Sequence, residues 1–158
     1  MALQAIIRIL HMATGFSAIG AGIVAFLAGK GGRLHAQIGT VYFGLMTVVC
    51  MLAVLLAMFD LKGLWPFISV AAVTYTFACT GFWARGRRDR VGLTIHVTGL
   101  VSSFCGLLMA FLVNNFQRIT GISGVPFRLR LFLLQFIATL IVIWVALLVY
   151  RGRIPGNK

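Results

Sequence analysis

The chain reads as an all-α, polytopic membrane protein, a single bundle of five transmembrane helices, and three features carry that expectation. Of its 158 residues, 61% are hydrophobic and the mean hydropathy is +1.04, more apolar surface than a water-soluble fold of this size can bury. Five stretches are long and uncharged enough to cross about 30 Å of hydrocarbon, for which a helix needs roughly 20 residues. Their apolar runs are continuous and lack the two-residue alternation of a lipid-facing barrel strand. The expected spans are Leu3 to Ala28, Gln37 to Phe59, Leu64 to Trp83, Val91 to Val113 and Leu129 to Tyr150, which leaves no room for a soluble domain.

Within the first span Arg8 precedes an apolar run, as in a secretory signal. Its apolar run is long and lacks the tripartite signal pattern, so a retained span is preferred. His11 shares a helical face with Gly15, Ala18 and Gly22, at offsets of four, seven and eleven. The turn that follows carries Gly29, Lys30 and Arg33 before His35. A glycine there permits a left-handed exit from the helix, and the cations hold the turn at the headgroups. It is not a Walker-type phosphate loop, because no glycine stands five residues before Gly29 and no Ser or Thr follows Lys30. Gly20, Gly22 and Ala25 imitate a dinucleotide fingerprint, but inside an apolar span with no strand before it.

The second turn, Asp60 to Gly63, has no net charge. Trp65 and Pro66 are then expected to open the third helix, with Pro66 in its first turn, where a missing N–H costs little. The third turn, from Ala84 to Gly92, is the most basic stretch of the chain. In the fourth span His96 shares a face with Gly99, Ser103 and Gly106, at offsets of three, seven and ten. Asn114 to Arg128, with Gly121, Gly124 and Pro126, reads as the longest irregular loop. Small residues four apart mark close helix approach in lipid. Ala18 with Gly22, and Ser102 with Gly106 and Ala110, predict that the first and fourth spans form the inner pair.

Charge supplies orientation. Fourteen Lys and Arg against two acids give +12, which in a soluble protein would suggest nucleic acid. With the N-terminus outside, the inner side holds Lys30, Arg33, Arg85, Arg87, Arg88, Arg90, Arg151, Arg153 and Lys158, and the outer side Arg8, Lys62, Arg118, Arg128 and Arg130. Nine against five favours an outside N-terminus and a cytoplasmic C-terminus by the positive-inside rule. Anionic lipid headgroups, not nucleic acid, are then the partners of the inner cluster. Arg33 is its candidate lipid contact in the first turn.

Asp60 and Asp89 are the only carboxylates, and both fall in turns. A glycosidase-like or aspartic-protease-like carboxylate pair is therefore excluded within the bilayer. Cys50, Cys79 and Cys105 fall in three different spans without a C-x-x-C pair and read as small hydrophobes. The chemistry rests on His11, His35 and His96. A buried imidazole needs a partner, either a main-chain carbonyl or a polar side chain such as Tyr42, Tyr75, Thr76 or Gln135. Alternatively it serves as a haem or metal ligand or a proton relay. His11 and His96 are expected to lie roughly 10 Å apart along the membrane normal, awkward for one shared iron. His35 and His96 share a side and pair more readily, with His35 at the surface. Gln135 and Thr139 of the last span read as helix contacts or a polar track.

His11 with Gly15, then Lys30-Gly31-Gly32, His35, Gly39 and Tyr42, form the pattern H-x3-G followed by K-G-G-x2-H-x3-G-x2-Y. It resembles an uncharacterised family of small bacterial integral membrane proteins, and the likeness extends through Thr80-Gly81-Phe82-Trp83 and from Arg87 to Gly92. Where that family has a basic residue after the second histidine, this chain has Ala36. The resemblance implies a bacterial inner-membrane bundle and supplies no activity. Three roles remain: a non-catalytic bundle that self-associates or joins a larger complex, binding lipid or a small ligand; a haem-binding redox protein using His11, His35 or His96; and an oligomeric channel or carrier.

Overall fold

The computed structural model describes residues 2–29, 31–59, 61–87 and 89–120 and, beyond them, 134, 137–141, 143–145 and 148. The described residues are helical with short turns and contain no strand. Four helices follow in order: α1 (Ala2–Leu27), α2 (Arg33–Phe59), α3 (Leu61–Ala84) and α4 (Arg90–Thr120). Three are long and apolar enough to cross a membrane, namely α1, α2 and the Arg90–Val113 part of α4. Within α3, Ile68–Ala84 is a shorter apolar helix. Large apolar side chains lie open on the helix surfaces, among them Leu27 (81%), Met58 (73%) and Trp83 (76%), as lipid-facing residues do and as a protein surface in water rarely tolerates. The chain divides into two compact units, Met1–Ala78 and Cys79–Lys158.

In the first unit α1 and α2 pack against each other. On α1, His11, Gly15, Ala18, Gly22 and Ala25 follow at alternating steps of four and three; on α2, His35, Gly39, Tyr42, Met46 and Val49 do the same. That period of 3.5 keeps one stripe facing its partner along the whole contact. The stripe is where burial concentrates: Ala18, Gly22, Tyr42, Met46 and Val49 are buried. Ala18 and Gly22, expected to meet the fourth span, are the buried residues of α1, whose packing partner within this unit is α2. A second face of α2 meets α3, where the Cys50 thiol reaches the Ala71 carbonyl at 3.8 Å and Phe43 stacks on Tyr75 at 6.2 Å.

The turn between α1 and α2 differs from expectation in one detail. The left-handed residue is Gly31, at φ +80°, not Gly29; Gly29 instead accepts the Gly32 N–H at 3.1 Å. Helix α3 starts at Leu61, three residues before the expected span, so Pro66 falls beyond the first turn. A proline beyond the first turn of a helix removes one N–H and crowds the carbonyl four residues back.

In the second unit Asp89 starts α4. Its carbonyl accepts the Leu93 N–H at 3.1 Å and its carboxylate accepts the Gly92 N–H at 2.9 Å, the two bonds of an N-cap. Val97, Val101 and Cys105 form a buried cluster against which Leu93 and Ile143 pack. Helix α4 has 31 residues, about 46 Å at 1.5 Å per residue, more than the bilayer core requires. It therefore takes in Asn114 to Thr120, the opening of what reads in the sequence as a loop. The Asn115 amide donates to the Phe111 carbonyl one turn back, at 2.8 Å, so a residue type that usually favours turns is accommodated within the helix. The remainder of that loop, and most of the fifth expected span including Gln135, lie outside the described residues.

Candidate functional site

All three histidines do the same thing by different routes. Each ring is half-buried and directs Nδ1 at a main-chain carbonyl of an adjacent helix. From α1, His11 Nδ1 lies 3.2 Å from Val49 O on α2. From α2, His35 Nδ1 lies 2.9 Å from Ala25 O on α1. From α4, His96 Nδ1 lies 2.8 Å from Gly81 O on α3. A carbonyl can only accept, so in each case Nδ1 carries the proton and donates, which fixes the neutral ring as the Nδ1–H tautomer with Nε2 as its basic nitrogen.

Two of these carbonyls are at helix ends, where the last four C=O groups have no intrahelical donor. At the end of α1, Ala28 N–H still reaches Val24 O at 2.9 Å, and the next carbonyl, Ala25, accepts from His35. At the end of α3, the N–H of Arg85 turns inward to Phe82 O at 3.4 Å and leaves Gly81 O to His96. Each imidazole thus supplies a donor to a carbonyl in the last turn of a helix. His11 differs, because Val49 lies mid-helix in α2 and its carbonyl takes the imidazole on its second lone pair.

The bonds of His11 and His35 share one register. From His11 to Ala25 along α1, and from Val49 back to His35 along α2, the chain moves fourteen residues each way, two heptads of the antiparallel contact. The same register puts Ala18 opposite Tyr42. The two rings are therefore about 21 Å apart along the helix axis, and cannot both approach one metal ion within about 2 Å. Among the described residues no three His, Cys, Asp or Glu side chains are grouped to hold a metal.

Expectation placed His35 at the surface. It is half-buried and bolts the hairpin as His11 does. The available signal was the repetition of H-x3-G, first as His11 and Gly15 and again as His35 and Gly39. The remaining candidates divide. Tyr42 is buried in the α1–α2 stripe. The Tyr75 hydroxyl accepts from Thr47 at 3.4 Å, a polar contact between α2 and α3. Arg33 is exposed at the first residue of α2.

In the α3–α4 turn, Arg87 clasps Asp89 through Nε at 3.3 Å and Nη2 at 2.8 Å. The Arg87 hydrogen bond, and after it that from Gly92 N–H, holds the Asp89 carboxyl below its usual range. Close by, the Arg85 guanidinium lies 3.7 Å over the Phe82 ring. Gly81 brings the two helices into main-chain contact: a Cβ built there would lie 2.7 Å from Leu100 N and 3.0 Å from Gly99 C. No protein-family model, curated protein or solved structure matches the chain.

Proposed function

We propose that the chain is a multi-pass component of a bacterial inner membrane, with five spans, an outside N-terminus and a cytoplasmic C-terminus. It acts as a non-catalytic bundle that binds lipid or a small ligand, as a homo-oligomer or as a subunit of a larger membrane complex. This fits the resemblance carried by the two H-x3-G motifs. The observation that carries the reading is the spending of all three imidazole N–H groups on main-chain carbonyls of neighbouring helices. In lipid, helices gain nothing from burying apolar surface against one another, so close packing and hydrogen bonds between them hold the bundle.

A second reading, a haem-binding redox protein, draws on one feature of the same bonds. Ligand imidazoles regularly donate their other ring N–H to a carbonyl, which orients the ring and raises its basicity. In such a site Nε2 is the ligating nitrogen, with one ring per site for His11 and His35.

Asparagine separates the two readings, since its amide N–H stands near the place of Nδ1–H and it offers no imidazole Nε2. For the bundle reading, His35→Asn and His96→Asn restore most of the stability lost in the alanine variants, and the purified protein has no Soret band. A Soret band lost equally in the alanine and asparagine variants would establish the haem reading instead.

A further inference from the structure

Helix α1 carries a cation among its apolar residues. Arg8 is the seventh residue of α1, about 9 Å along the axis from Ala2, inside a helix apolar enough to cross a membrane. It is exposed, and among the described residues nothing pairs with or hydrogen-bonds to its guanidinium. The Gln4 amide, half-buried one turn earlier on the same face, has no partner among them either. A guanidinium does not give up its proton in a protein, and a charge within an apolar span is costly unless it reaches a counter-charge.

The surroundings specify where that counter-charge comes from. Ile9 is 62% and Met12 50% exposed, large apolar side chains of the kind that face acyl chains, whereas helices that meet in lipid approach through small residues. From near the end of a span, the long arginine stem carries its head to the membrane boundary. Lipid phosphodiesters lie there, and the planar fork of the guanidinium matches two of their oxygens. A choline headgroup brings its own cation to that phosphate, while a headgroup ending in a neutral alcohol leaves the anion to the arginine. A free phosphate ion gains nothing from Ile9 and Met12.

We propose that Arg8 and Gln4 form a docking site for an anionic phospholipid, its phosphodiester on the Arg8 guanidinium and the Gln4 amide and its acyl region along Ile9 and Met12. The proposal rests on the reading that the chain spans a membrane and names the residues and lipid class of its binding.

The test uses the full chain in nanodiscs of phosphatidylcholine with and without phosphatidylglycerol, and counts by native mass spectrometry the lipids that stay bound after release. The native chain is expected to retain one more phosphatidylglycerol than Arg8→Gln, the affinity for that lipid falling about fivefold. Arg8→Lys keeps the charge and most of the affinity, and Gln4→Leu loses less than Arg8→Gln. An equal count in the native chain and Arg8→Gln, or displacement of the lipid by millimolar inorganic phosphate, overturns the site. Extraction of the vesicles with alkaline carbonate is the control: a chain that stays in the membrane with no lipid lost in Arg8→Gln defeats the site alone, and a chain that is washed off defeats the spanning reading beneath it.

Discussion

The hairpin of α1 and α2 and the junction of α3 and α4 face the same problem with different parts. Each joins two apolar helices through a short basic turn, and in each an imidazole from the second helix donates to a carbonyl in the last turn of the first. The α1–α2 turn is made of glycine, with the reversal at Gly31. The α3–α4 turn is made of charge, with Asp89 capping α4 and Arg87 holding Asp89. The helices also approach differently. At Gly81 the backbones touch, whereas a Cβ at Gly15 or Gly39 meets nothing within 4 Å. A histidine bolt therefore works both where helices touch and where side chains such as Tyr42 and Met46 stand between them.

The largest expected effect tests that difference in spacing. Gly81→Ala drives a methyl into the Gly99–Leu100 backbone, which cannot move aside as a side chain can, and should cost roughly 1–3 kcal/mol or more. Gly15→Ala and Gly39→Ala should be neutral or stabilising by up to about 1 kcal/mol, because alanine is the better helix former and the space is open. Unfolding in a graded detergent series measures both, and equal losses at Gly81 and Gly39 would erase the distinction.

The bolts come next. His35→Ala and His96→Ala each leave a helix-end carbonyl without its imidazole donor, and each should cost about 1–2 kcal/mol by the same titration. His11→Ala should cost less, about 0.6 kcal/mol, because Val49 lies within α2 and its carbonyl keeps its place in the helical ladder. A larger loss at His11 than at His96 would reverse the ranking of helix-end and mid-helix bolts.

The smallest effect concerns acid. Asp89 titrates below its ordinary value of 3.8 in the folded chain, so its contribution is complete above that value and is lost as the pH falls through the lower folded one. The unfolding midpoint should drop at that acid step in the native chain and not in Asp89→Asn. The α1–α2 turn has no carboxylate between Gly29 and Arg33 and should contribute no such step.

Much of this was legible in the sequence. Apolar runs and charge placement gave the helices and their approximate ends, and the offsets of His11 and His96 to small residues placed both rings on packed faces. His35 was misplaced because its neighbours Lys30 and Arg33 signal headgroups, while its carbonyl partner lies ten residues earlier on another helix and carries no side-chain signature. A main-chain acceptor has no side-chain signature, so the sequence predicts a carbonyl or a polar side chain such as Tyr42 or Tyr75 as the partner of each imidazole without selecting between them; the structure selects the carbonyls. The continuation of α4 through Asn114 was hidden for a related reason: asparagine reads as a turn residue, but Asn115 bonds back to the Phe111 carbonyl inside the helix.

The claim most open to direct measurement is the protonation of the rings. Solid-state ¹⁵N spectra of the histidine-labelled chain in bilayers at neutral pH report each ring nitrogen separately. A protonated Nδ1 in each ring, with each Nδ1–H close to a carbonyl carbon of Val49, Ala25 or Gly81, is the expected result. Rings protonated on Nε2 alone would contradict the account, since such a ring has nothing at Nδ1 to give a carbonyl.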